Sequence, residues 1–541
     1  MNVKILSTDC LIIGAGGSAF MAAHAFKQHN EKAKVMLLGI GSGATPYVHG
    51  FNVPIGSDDS VEIFIKDTMI SGNYLNDESL VRILCKDSLQ LLEDLQNLGI
   101  EFNKIGKSYE LLRALGCSKA RLVSSGNTTG AQLITKIRQL YNDTIDFRQD
   151  MHMVRLCAID GCIHGALAFN EQLHEFICIK APVIILATGG FCNLYPFSTN
   201  TSDIAGDGLA GAFFAGADLI DLEFIQFEPT VATYPPSVRG KGVITTLIHQ
   251  GATIRNALGD DILKNSFLEG SAINKDKMAQ LIYKEIQEGH CTTDGSVFFD
   301  ATNVPQSVLD TSYHLYMERY RQAGIDFSTT AVPIAPGAHT SLGGVKINPD
   351  CSTKVKNLYA CGEVIGGLHG SNRLGGNAGL EILVFGKIAG TSASHAVYDN
   401  TISDNLIKNW SNEIFESLVV QDNDNLTKMR SLLQQHLDES LNVVREGVGL
   451  QKTSDILSEI LHNLAKVRSY KKNSAQSMFK TMRLYNDVTT AYLLTTSALK
   501  RTDSSGSHMR SDYPNISEVP YNLIIKGPFN YLDVMKKNKK V

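Results

Sequence analysis

Asp9-Cys10-Leu11-Ile12-Ile13-Gly14-Ala15-Gly16-Gly17-Ser18-Ala19 passes from an apolar run into glycines, and then into Phe20-Met21-Ala22-Ala23-His24-Ala25-Phe26, which reads as a helix. Strand, Gly-rich turn and helix start together make a pyrophosphate site. Gly14 permits the tight turn, Gly16 lets backbone approach phosphate, and Ala19 keeps the helix close to the strand. Unpaired N–H groups and the positive end of the helix dipole then face the phosphates. An ordinary Gly-rich strand–helix turn carries the same pattern. The position directly after the first predicted strand favours the dinucleotide reading.

Working outward, residues 33–38 read as the second parallel strand. A dinucleotide site usually ends that strand with an Asp or Glu for the ribose. Here Gly39-Ile40-Gly41-Ser42-Gly43 follows, with no acid, which weakens an NAD reading more than a flavin one. A helical pattern covers 78–98, and a polar stretch at 124–130 leads into a helix over 131–141. Short alternating strands fill 147–176, with Asp160-Gly161 as a hairpin signal. A buried strand at 183–187 ends in Thr188-Gly189-Gly190, again bringing backbone close to something, and Gly206-Asp207-Gly208 opens a small-residue helix. The segment 235–345 is more polar, with a long helix at 275–288 and few buried strands, and reads as an inserted domain. The nucleotide fold resumes at Asn357-Leu358-Tyr359-Ala360-Cys361-Gly362-Glu363, and a helix over 379–390 follows. Beyond 400 the apolar spacing is helical over 406–419, 427–446, 454–465 and 474–497, the pattern of a helical bundle.

Composition bounds the function. The chain has 541 residues, 43% hydrophobic and 19% charged, with 46 glycines, and describes a globular protein of several domains rich in tight turns. A net charge of −5 gives no reason to expect nucleic acid. The basic tract at 536–541 is expected to be a frayed, solubilising tail. The 10 cysteines are scattered without a CxxC pair, so neither a metal site, an iron–sulfur site nor a disulfide scaffold is expected. No apolar run approaches the ~18 residues of a membrane span. The N-terminus lacks a secretory apolar region, and a cytoplasmic location is expected.

Read together, several motifs resemble one family. They are Gly14-Ala15-Gly16-Gly17, Ala187-Thr188-Gly189-Gly190, Ala205-Gly206-Asp207-Gly208, Ala338-His339-Thr340-Ser341-Leu342-Gly343-Gly344, Tyr359-Ala360-Cys361-Gly362-Glu363 and His369-Gly370-Ser371-Asn372-Arg373-Leu374-Gly375-Gly376-Asn377. In this order they resemble the flavoprotein subunits of succinate dehydrogenase and fumarate reductase, a family that includes the L-aspartate oxidases. A weaker match returns at 501–508. The resemblance implies an α/β fold: a Rossmann-like FAD-binding domain (1–234 and 346–400) interrupted by an α+β capping domain (235–345), then a C-terminal helical bundle (401–505) and an extension (506–541). It implies FAD held by Gly14, Ala15, Gly16, Gly17, Ser18 and Ala19 at the pyrophosphate. By the same resemblance Thr45, Thr188, Gly189, Asp207, Glu363, Asn377, Ala378 and Gly379 line the rest of the cofactor. Many members tether flavin covalently through a His in a Ser-His-Thr motif. The matching segment here is Gly43-Ala44-Thr45, so FAD is expected to be non-covalent.

The family's chemistry moves a hydride between flavin and a carbon while a proton is handled next door, and a neighbouring carboxylate must be gripped. By motif match His339 and Arg373 hold the substrate, Arg offering a rigid bidentate fork and His a hydrogen bond. Two positions depart from the pattern. The family's second substrate His falls at Glu228, in Phe227-Glu228-Pro229-Thr230, and its proton-transferring Arg falls at Lys275. A Thr-Glu pair that also grips substrate corresponds to Thr245-Thr246, without its Glu. His249, Arg239 and Arg255 are further candidates around the pocket. A carboxylate ~4 Å from a substrate carboxylate costs roughly 4 kcal/mol at an effective dielectric of ~20. Glu228 therefore opposes a second substrate carboxylate unless it is protonated or paired with Lys275, and the pair Glu228/Lys275 argues against plain succinate or fumarate; a purely structural salt bridge is the plainer alternative. Lys, with a reference pKa of ~10.4 against ~12.5 for Arg, remains a competent proton donor.

Three functions follow. The first is an FAD oxidoreductase acting across a C–C bond of a small carboxylic acid. The second is an L-aspartate-oxidase-like amino acid oxidase. The third is a flavin-binding electron-transfer subunit without a substrate of its own. The expected partners are a small carboxylate or amino acid and an electron-transfer protein or soluble acceptor.

Overall fold

The computed structural model describes residues 3–126, 128–141, 143–264, 274–310, 313–397, 402–417, 422–465 and 474–528. The basic tract at 536–541 lies outside them.

A five-stranded sheet positions everything else. Its order is Leu358–Ala360, Val183–Leu186, Cys10–Ile13, Val35–Leu38 and Ile145–Arg148, with every pair parallel. Its four strands from Leu358–Ala360 to Val35–Leu38 are buried end to end, as continuous Val/Ile/Leu runs require when helices cover both faces. Helix Gly17–His29 leaves the central strand and packs along helix Asn377–Ser394. The crossing is close because Gly386 and Gly390 face Ser18 and Ala22, where any Cβ would press into backbone. That contact sets the N-terminus of Asn377–Ser394 beside the glycine turn.

A second sheet joins Lys4–Ser7, Glu175–Lys180, Cys162–Asn170 and Met151–Ile159. The last two form a hairpin whose Asp160 and Gly161 both have positive φ, 50° and 72°, the requirement of a two-residue primed turn.

The segment after 232 owns a separate apolar cluster that includes Val238, Leu247, Ile254, Met278, Ile282, Phe299, Tyr320 and Ile334. Here the reading of few buried strands needs correction. A four-stranded sheet runs Ile225–Ala232, Val332–Ser341, Val297–Asp300 and Thr253–Arg255, and most of its residues are buried. Pro333, Pro336 and Gly337 interrupt the alternation of Val332–Ser341, and a register shift between Glu228 and Val231 disturbs its partner, so period-2 counting passes over both.

Among the C-terminal helices, Asn423–Ser440, Gly447–Ala465 and Ala475–Lys500 pack on one another. Asp404–Ser417 does not join them; its Ile407, Ile414 and Phe415 cover Phe176, Cys178 and Leu167 of the second sheet. Beyond Lys500 the chain folds back over the core. Arg445, Arg501 and Arg510 are buried there, with Arg501 Nε bonded to Glu223 and Arg510 bonded to Asp512.

Candidate functional site

The glycine turn opens on a cleft whose space not filled by protein, open solvent at its mouth included, is about 1130 Å³. Gly14 has φ 134°, and a Cβ there would overlap the Ala187 carbonyl of the neighbouring strand. Gly16 caps helix Gly17–His29 and brings no side chain of its own to the open N–H groups. The Gly17 N–H donates to Thr45 Oγ1 at 2.8 Å, which fixes the turn against the segment 43–45. Ala15, Gly16, Ser18, Thr45, Thr188, Gly189, Asp207, Glu363 and Ala378 all line the cleft with Gly14. Thr188 Oγ1 is buried without a hydrogen-bond partner and lies against Gly208. Glu363 accepts from the Ser341 N–H at 3.0 Å, and burial pushes its carboxyl up to about 7. A side-chain-free glycine cradle at a helix start, where a Cβ at Gly14 would overlap backbone, fits a dinucleotide pyrophosphate.

Four expected cofactor residues stand behind the lining. Ala19 is fully buried in the core. Asn377 accepts from Asn52 Nδ2 at 2.8 Å and donates to Thr68 Oγ1 at 3.2 Å, tying its helix to the strand Gly50–Asn52 and the helix Val61–Ser71. Gly379 sits so close to the Gly50 carbonyl that a Cβ would press on it. Gly17 likewise packs on Thr45 and Ile382. Their smallness serves packing.

At the far end of the cleft Thr340 leads into a polar cluster. Glu228 and His339 lie on adjacent antiparallel strands, Ile225–Ala232 and Val332–Ser341, and Lys275 is the first residue of helix Lys275–Gln287. Lys275 Nζ is bonded to Glu228 Oε2, and His339 Nε2 lies 3.7 Å from the same oxygen. His339 Nδ1 shares a 2.8 Å hydrogen bond with Thr199 Oγ1, while Asn200 Nδ2 donates to its carbonyl at 2.7 Å. Burial, with Lys275 and Arg373 nearby, holds the His339 imidazole well below its ordinary range, so the ring is neutral. Burial also pushes the Lys275 ammonium down, against the pull of Glu228, and Arg373 adds to the downward push. A cation at a helix N-terminus is disfavoured by the dipole as well.

Arg373 is buried, 6% exposed, on the loop between His369 and the glycines at 375–376. Its Nη2 reaches only Thr340 Oγ1, at 3.4 Å, and its Nε is buried without a partner. Burial pushes the Arg373 guanidinium down from its ordinary range, and Glu363, Glu381 and Glu228 around the site oppose that push. The loop is held from below: Gln226 Nε2 donates to the Arg373 carbonyl at 3.2 Å and to Asn372 Oδ1 at 2.8 Å. It is held from the C-terminal side by Ser507 N–H on the Ser371 carbonyl at 2.9 Å. The result is a buried guanidinium with unused donors, the geometry of an anion grip.

The structure therefore gathers all four expected catalytic residues, Glu228, Lys275, His339 and Arg373, into one cluster beside Thr340, which lines the cleft. The further candidates go elsewhere. Arg255 pairs with Asp300 at 3.0 Å, Arg239 lies over the Phe197 ring, and His249 stays partly exposed near Arg113. Thr246 Oγ1 accepts from Tyr313 at 3.0 Å. Sequence reasoning missed Thr199, Asn200 and Gln226, which position His339 and Arg373, and Glu381, which lines the cleft and bonds His369 at 3.0 Å. Only proximity in space marks these.

Comparison with known proteins assigns the chain to a family. The family described as FAD binding domain matches residues 9–378, and the one described as Fumarate reductase flavoprotein C-term matches 430–525. The chain belongs to the FAD-dependent fumarate reductase and succinate dehydrogenase flavoprotein family. It is 32% identical to a subunit of the CoM/CoB fumarate reductase of Methanothermobacter marburgensis, over 95% of this chain and 96% of that one. It is 28% identical to L-aspartate oxidase of Bacillus subtilis, over 93% and 91% of the two chains. A solved structure of quinol-fumarate reductase with menaquinol superposes with a TM-score of 0.87 at 24% identity, covering 97% of this chain and 98% of that one, a likeness of fold. The protein is thus an FAD-dependent oxidoreductase, with the interrupted α/β fold and helical C-terminal domain expected from the motifs. No helix among the described residues is long and apolar enough to cross a membrane.

Proposed function

We propose that this protein moves a hydride between FAD and a small carboxylic acid other than plain succinate or fumarate, with Arg373 gripping the acid. The observation that carries this reading is the buried Arg373 guanidinium, short of hydrogen-bond partners, beside the Glu228–Lys275–His339 cluster. FAD, when bound, supplies a reversible two-electron centre. Arg373 orients one substrate carboxylate through paired N–H donors. Neutral His339, fixed by Thr199, adds a hydrogen bond on the cleft side. Lys275, its ammonium pushed down by burial, gives or takes the proton on the neighbouring carbon. Glu228, paired with Lys275, leaves that end of the site a neutral ion pair rather than a second free cation, which favours a neutral group or an amine there over a second carboxylate.

That preference for an amine supports a second reading, oxidation of an amino acid at its C–N bond. Anaerobic flavin bleaching with a panel of carboxylates and amino acids separates the readings. Bleaching identifies the substrate, re-oxidation by air identifies an oxidase, and silence with every candidate points to an electron-transfer role without a substrate. The double variant Glu228→His/Lys275→Arg is expected to raise turnover of fumarate or succinate at least tenfold. No gain with either compound removes Glu228 as the selector and leaves a structural salt bridge.

We further propose that the FAD is not covalently attached. Gly43-Ala44-Thr45 brings no imidazole, and Thr45 is engaged by the Gly17 N–H. Acid precipitation should send all the yellow colour into the supernatant; colour retained on the washed pellet contradicts this. All 10 cysteines are free thiols, which supports a setting in the reducing cytoplasm. The similar Methanothermobacter protein is named as one subunit of its enzyme, which supports a separate protein as electron partner.

A further inference from the structure

The strand Val35–Leu38 ends without the acid that commonly holds the adenosine ribose of a dinucleotide, yet a carboxylate stands there. Asp203 comes from the loop between the buried strand Val183–Leu186 and helix Asp207–Ala215, far away in sequence. Its Oδ2 accepts from the Gly43 N–H at 3.1 Å. The same oxygen lies against Gly41, whose φ of 71° turns the chain around it, and a side chain at Gly41 would crowd that oxygen at 2.6 Å. Asp203 lines the cleft together with Gly39, Ile40, Gly43 and Ala44. Among the described residues its Oδ1 has no hydrogen-bond partner.

On the opposite side of this turn Arg138 donates to the Gly41 carbonyl at 3.0 Å and to Ser42 Oγ at 3.1 Å. The turn is therefore clasped from both sides, with one carboxylate oxygen left over. Asp207, the acid that the motif itself supplies, is already committed: its Oδ1 accepts from Asn486 Nδ2 at 2.9 Å, and its Oδ2 lies 3.8 Å from Arg483 Nε.

We propose that Asp203 is the ribose-binding acid of this FAD site, its Oδ1 accepting from a hydroxyl of the adenosine ribose. The ligand class is a ribose diol. The turn has lost its own acid, and a carboxylate delivered from another part of the chain has taken over its position. Glycines at 39, 41 and 43 make room for it.

The test measures FAD release from the full-length holoprotein by recovery of free flavin fluorescence. It compares FAD with FAD analogues that lack the 2′- or the 3′-hydroxyl of the adenosine ribose. Asp203→Asn keeps an acceptor for the Gly43 N–H and removes the charge. It should weaken FAD binding roughly tenfold to a hundredfold, the range of a hydrogen bond to a charged group. The sensitive deoxy analogue should bind the wild-type protein that much more weakly, and Asp203→Asn should weaken it little further. Equal affinity of wild type and variant for FAD overturns the proposal. So does an equal penalty for FAD and both analogues, which leaves Asp203 as a clamp on Gly43. Should the variant not fold, the wild type alone decides: binding both deoxy analogues as tightly as FAD also overturns it.

Discussion

Arg373→Met is expected to lower kcat/KM about a hundredfold to a thousandfold while the protein keeps its FAD. The guanidinium is 6% exposed, its Nε has no partner, and Nη2 makes one long bond to Thr340, so most of its donors are free for substrate. Removing one member of a buried charge pair costs about 3–5 kcal/mol, and about 1.4 kcal/mol is tenfold in rate. Arg373→Lys should recover little, because an ammonium is a point charge without the planar fork that matches a carboxylate. In the absence of substrate the variant should be no less stable, since Arg373 is a buried cation with few bonds of its own. Stability is read by thermal unfolding and cofactor retention by the flavin spectrum. An FAD-loaded Arg373→Met within tenfold of wild type would remove Arg373 from the reaction.

Lys275→Met is the second large effect, a fall of roughly 10²- to 10⁴-fold in the step that needs the proton. Methionine fills the volume of the lysine stem and carries no proton. It also strands Glu228, whose oxygen loses its ammonium, so the companion variant Glu228→Gln/Lys275→Met separates chemistry from an unpaired buried carboxylate. Both variants should be slow if Lys275 handles the proton. Recovery in the double variant would assign the loss to stranded charge. The pH dependence has a definite sign. Burial and Arg373 push the ammonium below its usual 10.5. A reaction that needs Lys275 protonated therefore runs at low and neutral pH and fails on an alkaline limb that falls below 10.5. Lys275→Arg should keep activity and carry that limb to higher pH; an unmoved limb assigns it to another group.

The nucleotide half of the fold is legible in the sequence because it is local. Each buried strand is a short run of Val, Ile and Leu closed by glycine, and Cys10–Ile13, Val35–Leu38 and Val183–Leu186 all form where that pattern predicts. The inserted segment reads less clearly. Val332–Ser341 carries Pro333, Pro336 and Gly337 and is still a ten-residue, largely buried strand, since its neighbours on both sides supply the pairing that its own composition does not advertise. The site divides in the same way. His339 and Arg373 sit in motifs dense with glycine and could be named one by one. Thr199, Gln226 and Asp203 are single polar residues in ordinary loops and strands, and their roles come from segments that meet only in the folded chain.

The fold-back of the chain beyond Lys500 reaches the centre of the molecule. Ser505 Oγ donates to Ser371 Oγ at 3.0 Å, Ser507 N–H bonds the Ser371 carbonyl, and a side chain at Gly506 would press on that carbonyl. Ser371 is two residues from Arg373. A nick near residue 500 should therefore loosen the loop that carries Arg373, the proposed anchor of the acid, whereas a stop codon there also removes the partner of buried Glu223 and the strand Ile524–Ile525. A nicked protein is expected to keep its colour and lose its hold on substrate, so pigment alone is a poor assay of intact enzyme.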